Sequence, residues 1–324
     1  MKILKRLLII TIICLIIGGA FLYIVLNQIN TPKTLTSPAE IIITRGSSLN
    51  QTARLLEKTK IISNAKLFVL YGRLNHLSSK LKAGEYRFTG SNSIKDVAQK
   101  LKDGDVIKRT ITIPEGKSLV EILEIINNHP HLTGDITITL KEGDILPETY
   151  HFTRGTPKDE IIKKSKQAMQ KALDEAYQNL TPNSPIKTKN EILILASIIE
   201  KETGLKSERA LVSSVFINRL KIGMRLQTDP TVIYAVTNGK MDLNRPLYKK
   251  DLSYDSPFNT YIYAGLPPSP ICSPGIDAIK SAVNPADTKF LYFVADGTTG
   301  GHRFATSLNE HNNNVALYRK ALKK

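Results

Sequence analysis

Residues 191–203 (EILILASIIEKET) place a carboxyl group, that of Glu200, near the end of an apolar segment with helical character. Asn190 is a residue type that caps helix starts, and Gly204 is a type that ends helices. The early turns of the segment are apolar on every side, which predicts a buried helix. Glu200 is therefore expected at the buried end of a helix rather than on a solvated face.

A carboxyl group in that position can perform acid–base chemistry. The small residues Ala196 and Ser197 lie about one turn before Glu200 and leave space beside it. Burial and the negative end of the helix dipole both disfavour the ionised form, which predicts a raised pKa. Such an acid can protonate a poor leaving group, for example a glycosidic oxygen. The alternative is that Glu200, Lys201 and Glu202 are simply the charged end of a buried helix.

Polar and aromatic residues further along the chain suit contacts with a sugar. Amide and carboxyl groups bond hydroxyls, and an aromatic ring can stack on a pyranose face. The candidates for substrate contact are Gln227, Asp229, Asn259 and Tyr261. A purely structural role in turns is the competing interpretation. Glu202 and Arg219 are candidates for supporting the site, with Arg219 holding either Glu202 or a substrate carboxylate.

The first half of the chain repeats a strand-then-helix pattern three times. Residues 41–44, 85–89 and 109–114 have the composition of strands. After each strand comes a serine and then an apolar stretch with helical spacing, and the serine is placed to cap that helix in a capping box. The predicted N-caps are Ser48, Ser93 and Ser118.

The amino-terminal segment has the composition of a membrane anchor. Residues 7–26 carry no charge and reach roughly the 20 residues that span a bilayer. Lys2, Lys5 and Arg6 precede the segment, and the next basic residue is Lys33. The positive-inside rule therefore predicts a cytoplasmic amino terminus and an extracytoplasmic remainder. The competing interpretation, a cleaved signal peptide, needs an apolar core of only about 7–15 residues.

Composition narrows the classes of partner. A formal net charge of +16 favours a polyanion such as nucleic acid, anionic lipid or a carboxylate-rich polymer. Predicted export excludes nucleic acid as a partner and leaves anionic lipid and the cell wall.

With two cysteines, one of them Cys14 in the apolar span, no disulfide framework is expected. HExxH, CxxC, GxSxG, GxGxxG and Walker A motifs are absent from the sequence, and His129 with His131 lacks further ligands. We therefore expect no metal and no cofactor.

Long motifs in the second half resemble the endolytic murein transglycosylases, also called the YceG-like family. These motifs occur in the order that the family shows: ASIIEKET (196–203), VFINRL (215–220), RLQTDPTV (225–232), NTY (259–261), GLPP (265–268), SPG (273–275), YFVA (292–295) and His302. The resemblance covers essentially everything after residue 38, and the first half resembles the LysM-like portion of that family.

The resemblance implies that Glu200, the first glutamate of ASIIEKE, is the catalytic residue of a lytic transglycosylase. Such enzymes cleave peptidoglycan, including nascent glycan strands, between N-acetylmuramic acid and N-acetylglucosamine. The muramyl C6 hydroxyl attacks its own anomeric carbon, so one carboxyl group suffices and a 1,6-anhydromuramyl end is left. A hydrolase would usually need a second carboxylate. The candidates for that role are Glu202, Asp229 and Asp296.

Together these features predict an α+β chain in four parts. Residues 1–27 form a cytoplasmic tip and transmembrane anchor, 28–38 a linker, 39–116 a LysM-like α/β subdomain and 117–324 a mixed α+β catalytic domain. The expected location is the cell (inner) membrane, crossed once. The expected partners are peptidoglycan strands, the membrane and peptidoglycan synthases, with no nucleic acid. The alternative function is a non-catalytic, membrane-tethered scaffold that binds peptidoglycan.

Overall fold

The computed structural model describes residues 2–240 and 243–322, and within them the chain packs as two compact units. The first unit holds the residues up to Arg109 together with Thr153–Gly155, and the second holds Thr110–Phe152 and the residues from Thr156 onward. Residues 110–116 thus pack with the second unit, although the sequence placed them in the first module. This segment is tied to the second unit, because the Gly116 N–H donates to the Ser273 carbonyl at 3.0 Å.

The first unit begins with a long apolar helix, α1 (Lys2–Asn30). Its 26-residue stretch Lys5–Asn30 is long and apolar enough to cross a membrane, and its most apolar part is unburied. The helix continues to Asn30, past the point at which a linker was expected. The buried side chain of Ile29 explains this, because the end of α1 packs into the core of the unit.

Short strands and three helices complete the first unit. In chain order they are β1 (Lys33–Thr34), β2 (Ala39–Ile43), α2 (Leu49–Lys58), α3 (Ala65–Leu74), β3 (Gly84–Phe88), β4 (Ser91–Asn92) and α4 (Ile94–Asp103). Strand β2 pairs antiparallel with β3, and β1 pairs antiparallel with β4.

Two of the three predicted capping boxes, those of Ser48 and Ser93, are confirmed; at Ser118 the backbone N–H donates to Glu121 at 2.9 Å, but the hydroxyl has no hydrogen-bond partner among the described residues. The backbone N–H of Ser48 donates to Gln51 at 2.8 Å, and that of Ser93 donates to Asp96 at 3.0 Å. Helix α3 was not predicted. It is capped by Asn64, whose side chain accepts from the backbone of the third helical residue. The resemblance of this unit to LysM modules stays a prediction.

The second unit is a mixed α+β structure dominated by helices. Its elements are β5 (Arg109–Thr112), which begins at the unit boundary, α5 (Leu119–Asn127), β6 (Leu132–Thr133), β7 (Thr149–Phe152), β8 (Thr156–Pro157), α6 (Lys158–Gln178), α7 (Lys189–Glu202), α8 (Arg209–Lys221), α9 (Asp229–Thr237), α10 (Ile276–Val283), β9 (Tyr292–Ala295), β10 (His302–Ala305) and α11 (Leu308–Ala321). The sequence predicts a hairpin between residues 291–295 and a strand near His302, joined by Asp296 to Gly301. This prediction is confirmed, since β9 and β10 pair antiparallel. Two further pairs are β5 with β7 and, in parallel, β6 with β8.

Helix α7 is the central element of the second unit. Its residues from Ile192 to Ile199 are all buried, and it packs against α6, α8, α9 and α10. The helix starts earlier than predicted. Thr188, not Asn190, is the N-cap, because Thr188 and Glu191 form a reciprocal capping box. The helix ends before Gly204, since the backbone of Thr203 is already extended.

Candidate active site

The end of α7 is tied to the segment that precedes α10. The Ser197 hydroxyl donates to the Ile194 carbonyl at 2.7 Å and accepts from the backbone N–H of Ile271 at 3.1 Å. The Cys272 thiol donates to the Ser197 carbonyl at 3.4 Å. These contacts fix residues 271–275 alongside the last turns of α7, so the backbone of Gly275 reaches the side chain of Glu200.

Both carboxylate oxygens of Glu200 accept hydrogen bonds. The Gly275 N–H donates to Oε2 at 3.0 Å, and Nη2 of Arg209 donates to Oε1 at 2.7 Å. The Glu200 side chain is only 6% exposed. A charge-assisted bond on one oxygen and a backbone amide on the other fix the orientation of the carboxyl plane.

Burial raises the pKa of Glu200 above its ordinary value. The Gly275 N–H and the Arg209 guanidinium oppose this effect by favouring the carboxylate, whereas the nearby charges of Glu115 and Asp277 add to it. The direction predicted from the sequence is therefore confirmed, with desolvation as the leading cause.

Two glycines lie beside this carboxyl group. A side chain at Gly275 would collide with the carboxylate of Glu115. Gly116 has a φ of +74°, a conformation that other residues rarely adopt, and a Cβ there would be in ordinary contact with the Glu200 side chain. Turn formers in GLPP (265–268) and SPG (273–275) predict a rigid loop, and the structure adds that the glycine of SPG donates the hydrogen bond to Glu200.

Glu202 faces a different environment from Glu200, although only two residues separate them. It accepts a short hydrogen bond from the Thr228 hydroxyl. Burial raises the pKa of Glu202 to about 7, and the neighbouring charge of Asp229 adds to this effect. Thr228 is the N-cap residue of α9, yet its side chain makes no capping bond. The Thr228 hydroxyl therefore binds the Glu202 carboxyl group rather than capping α9.

Two of the four residues predicted to contact substrate lie together beside Glu202. The Tyr261 hydroxyl donates to Asp229 at 2.6 Å, and Asp229 is an exposed residue in the first turn of α9. Burial and this hydrogen bond raise the pKa of Tyr261 well above its ordinary range. Gln227 is exposed and has a φ of +50°, and its N–H donates to Thr260 at 3.1 Å. These three side chains are accessible for a ligand.

The other predicted residues have structural roles. Asn259 is fully buried, and its amide group donates to the carbonyls of Leu252 and Tyr254 at 3.0 and 2.8 Å. It therefore shapes the loop and presents no surface to a sugar. Arg219 was expected to pair with Glu202 or with substrate. It is buried and donates to the Leu291 carbonyl at 2.6 Å and to the Leu226 carbonyl at 2.5 Å, and its charge also favours the ionised form of Glu202 without a direct hydrogen bond.

Asp296, a candidate second carboxylate, lies in the loop between β9 and β10. It accepts from the backbone N–H groups of Thr298 and Thr299, each at 2.9 Å, and from the Thr299 hydroxyl. These bonds hold the pKa of Asp296 far below its usual range. The Asp296 carboxylate therefore stabilises the turn between β9 and β10 through these hydrogen bonds.

Sequence reasoning missed three residues around the site. Arg209 and Glu115 contact each other at 3.2 Å beside Glu200. Glu208 accepts from the backbone and the ring of His302, at 2.9 and 2.7 Å, and so anchors the β9–β10 hairpin. The cation next to Glu200 could have been sought among the basic residues that follow α7. No periodic pattern identifies which of these basic residues reaches it.

Comparison with known proteins gives consistent matches. Residues 41–317 match the YceG-like family. A Bacillus subtilis (strain 168) protein named endolytic murein transglycosylase is 33% identical over 337 residues, which cover 92% of this chain and 89% of the relative. A protein of the same name from Streptococcus pneumoniae serotype 2 (strain D39) is 30% identical over 322 residues, which cover 85% of this chain and 57% of the relative. A 2.6 Å crystal structure of a YceG-like protein from Listeria monocytogenes matches with a TM-score of 0.53 and 31% identity, over 86% of this chain and 99% of that one.

The chain spans little more than half the length of the Streptococcus relative but most of the Bacillus relative. The matched range includes α7 with Glu200 and Glu202, the Asp229–Tyr261 pair and the β9–β10 hairpin. Sequence identity, fold and the match over most of the chain agree with one another. The chain belongs to the YceG-like family.

Proposed function

We propose that this chain is an endolytic lytic transglycosylase of peptidoglycan, in which Glu200 acts first as acid and then as base. The observation that carries the proposal is the setting of Glu200. Its carboxyl group is buried and has a raised pKa, and each of its oxygens is held by a hydrogen-bond donor. The names of the Bacillus and Streptococcus relatives supply the substrate class.

The first step breaks the bond between N-acetylmuramic acid and N-acetylglucosamine. Protonated Glu200 transfers its proton to the glycosidic oxygen as the C1–O bond breaks, and the N-acetylglucosamine chain leaves as an alcohol. Positive charge then develops at the muramyl anomeric carbon. Glu200 is now a carboxylate, and the Gly275 N–H and the Arg209 guanidinium stabilise its negative charge.

The second step closes a ring within the muramyl residue. Its C6 hydroxyl oxygen bonds to C1, and the hydroxyl proton moves to the Glu200 carboxylate. The acid is thereby regenerated, and a 1,6-anhydromuramyl end forms without consuming water. One side chain suffices because the proton given in the first step is recovered in the second.

The other carboxyl groups near Glu200 already have partners, which favours this one-carboxyl scheme over hydrolysis. Glu115 and Asp277 lie 3.2 and 3.8 Å from the Arg209 guanidinium, and Asp277 also pairs with Lys206 at 2.8 Å. A hydrolase usually uses a second carboxylate, within roughly 5–9.5 Å of the first, as nucleophile or as base for a water. Two residues along a helix correspond to a rotation of roughly 200°, so Glu202 projects away from Glu200.

The membrane arrangement belongs to the same proposal. The span Lys5–Asn30 would anchor the chain with the amino terminus in the cytoplasm, because the basic residues Lys5 and Arg6 lie on its amino-terminal side. Protease added to spheroplasts should then digest the residues after α1. Protection of this part, while a known external protein is cut, would reverse the proposed orientation.

Mass analysis of the products tests the function. Purified protein incubated with uncrosslinked glycan strands should release fragments that end in 1,6-anhydromuramyl groups. Reducing muramyl ends would indicate a hydrolase. Retention of glycan without cleavage would indicate the scaffold alternative. Glu175→Gln is a matched control, since Glu175 is an exposed residue of α6 with a side chain 64% accessible to solvent, and it should cleave like wild type.

A further inference from the structure

We propose that Arg209 is a positioning residue whose charge is shared between Glu200 and the carboxylates of Glu115 and Asp277, and that this sharing sets how readily Glu200 takes up and releases its proton. The inference rests on the proposed function, because it concerns the same carboxyl group. It adds three residues to the machinery, none of which belongs to the motifs that carry the family resemblance.

The geometry around Arg209 is a single cation among three carboxylates. Nη2 lies 2.7 Å from Glu200 and 3.2 Å from Glu115, and Nη1 lies 3.8 Å from Asp277. The Arg209 side chain is 4% exposed. Solvent therefore screens the pair with Glu200 poorly, whereas the side chains of Glu115 and Asp277, 41% and 42% exposed, are partly screened.

Arg209 is not saturated by its neighbours. Its Nε and Nη1 atoms are buried and have no hydrogen-bond partner among the described residues. Nη2 is the atom that donates to both Glu200 and Glu115. A guanidinium that reserved its paired N–H groups for Glu200 would bind in a bidentate way and favour the carboxylate strongly. The observed monodentate contact leaves Glu200 able to be protonated.

Other charged groups around Glu200 come from four segments of the chain. Lys201, on the same helix, directs its amine to the Gly116 carbonyl at 3.4 Å. Lys206, between α7 and α8, pairs with Asp277 of α10, and Glu115 follows β5. Asp277 is thus held by two cations, which leaves Glu115 as the carboxylate that competes most directly with Glu200 for Nη2 of Arg209.

The two arms of this arrangement predict shifts of opposite sign. Loss of the cation in Arg209→Gln destabilises the Glu200 carboxylate, so Glu200 should keep its proton to higher pH. Loss of the competing charge in Glu115→Gln releases Arg209 to Glu200 and removes a repulsion, so Glu200 should lose its proton at lower pH. A residue that merely supported the fold would move neither titration.

The test is the pH dependence of kcat/KM for glycan cleavage by the full-length protein. The alkaline limb, where the acid becomes ionised, should move up by about one pH unit or more in Arg209→Gln and down in Glu115→Gln, the size expected for a close charge. Arg209→Lys keeps the cation and should restore most of the wild-type profile. Glu175→Gln removes an exposed charge distant in sequence from these residues and should leave the profile unchanged.

The outcomes separate this inference from the proposed function. Unmoved limbs, or shifts of the same sign, in variants that still form 1,6-anhydromuramyl ends would overturn the inference alone. Wild-type protein that yields reducing ends would overturn the proposed function. Circular dichroism checks that each variant folds. If Arg209→Gln does not fold, the downward shift in Glu115→Gln and the profile of Arg209→Lys still test the inference. The Glu115 side chain is 41% exposed, so Glu115→Gln is expected to fold.

Discussion

The two carboxyl groups at the end of α7 have similar burial but different partners. Glu200 is held by a guanidinium and a backbone amide, whereas Glu202 is held by the neutral hydroxyl of Thr228. Burial raises the pKa of both, and for Glu202 it reaches about 7. A raised pKa therefore does not distinguish Glu200, the proposed acid and base, from its neighbour Glu202.

The difference lies in what each carboxyl group gains when it becomes ionised. A general acid that must later act as a base needs its carboxylate stabilised, and Arg209 with Gly275 provides this for Glu200. Glu202 makes no direct ion pair among the described residues; the charges of His302 and Arg219 favour its ionised form at longer range, and Asp229 disfavours it. The comparison therefore favours Glu200 over Glu202 for the proposed proton-transfer role.

The largest effect outside catalysis concerns the pH dependence of stability. The pKa of Glu202 is raised from 4.5 to about 7 in the folded protein. Its protonation stabilises the fold fully below the unfolded pKa, and this contribution is lost as pH rises toward 7. Glu202→Gln keeps the Thr228 bond without the charge. The difference in free energy of unfolding between Glu202→Gln and wild type should therefore shift in favour of the variant by about 1–3 kcal/mol as the pH is raised from 4.5 to 7.5.

Denaturant titrations of wild type and Glu202→Gln across this range measure the difference. Glu142, whose pKa burial also raises to about 7, is present in both proteins and cancels in the comparison. A difference that stays constant with pH would show that Glu202 is ionised in the folded protein. The contrast with Glu200 would then fail.

A smaller effect is expected beside Glu202, where substrate contact was predicted. Tyr261→Phe removes the hydrogen bond to Asp229 and frees that carboxylate. The KM for glycan should rise by roughly 2–10-fold, as for the loss of a bond worth about 1 kcal/mol, while kcat changes less. Tyr263→Phe is a matched control, because its hydroxyl donates to Asp255 in the same loop at 2.8 Å. Equal KM values in the two variants would remove Tyr261 from the substrate site.

Local features of the fold could be predicted from the sequence because neighbouring residues determine them. The serine-capped helices α2 and α4, the buried α7 and the β9–β10 hairpin are of this kind. Helix α3 was missed, since its short pattern lies between two well-marked elements. The start of α7 was misplaced because Asn190 is also a good capping residue, although Thr188 has the better-placed partner Glu191.

The partners of Glu200 could not be predicted, because they come from distant parts of the chain. Gly275 lies 75 residues after Glu200, and Glu115 lies 94 residues before Arg209. Tertiary packing alone brings them together. Asn259 was misinterpreted for a related reason, since an amide that can bind a sugar can equally hold a loop, and only burial distinguishes the two.

The most direct test compares Glu200→Gln with Glu202→Gln under single-turnover conditions on the same glycan. Both changes remove one carboxyl group from the end of α7 and keep its shape. Formation of 1,6-anhydromuramyl ends should fall by about 10²–10⁴-fold in Glu200→Gln, the range expected for loss of acid–base catalysis. In Glu202→Gln it should stay within about 10-fold of wild type, because no proton transfer is lost. A Glu200→Gln variant that cleaves as fast as wild type, or a larger loss in Glu202→Gln, would contradict the assignment of Glu200 as the proton carrier.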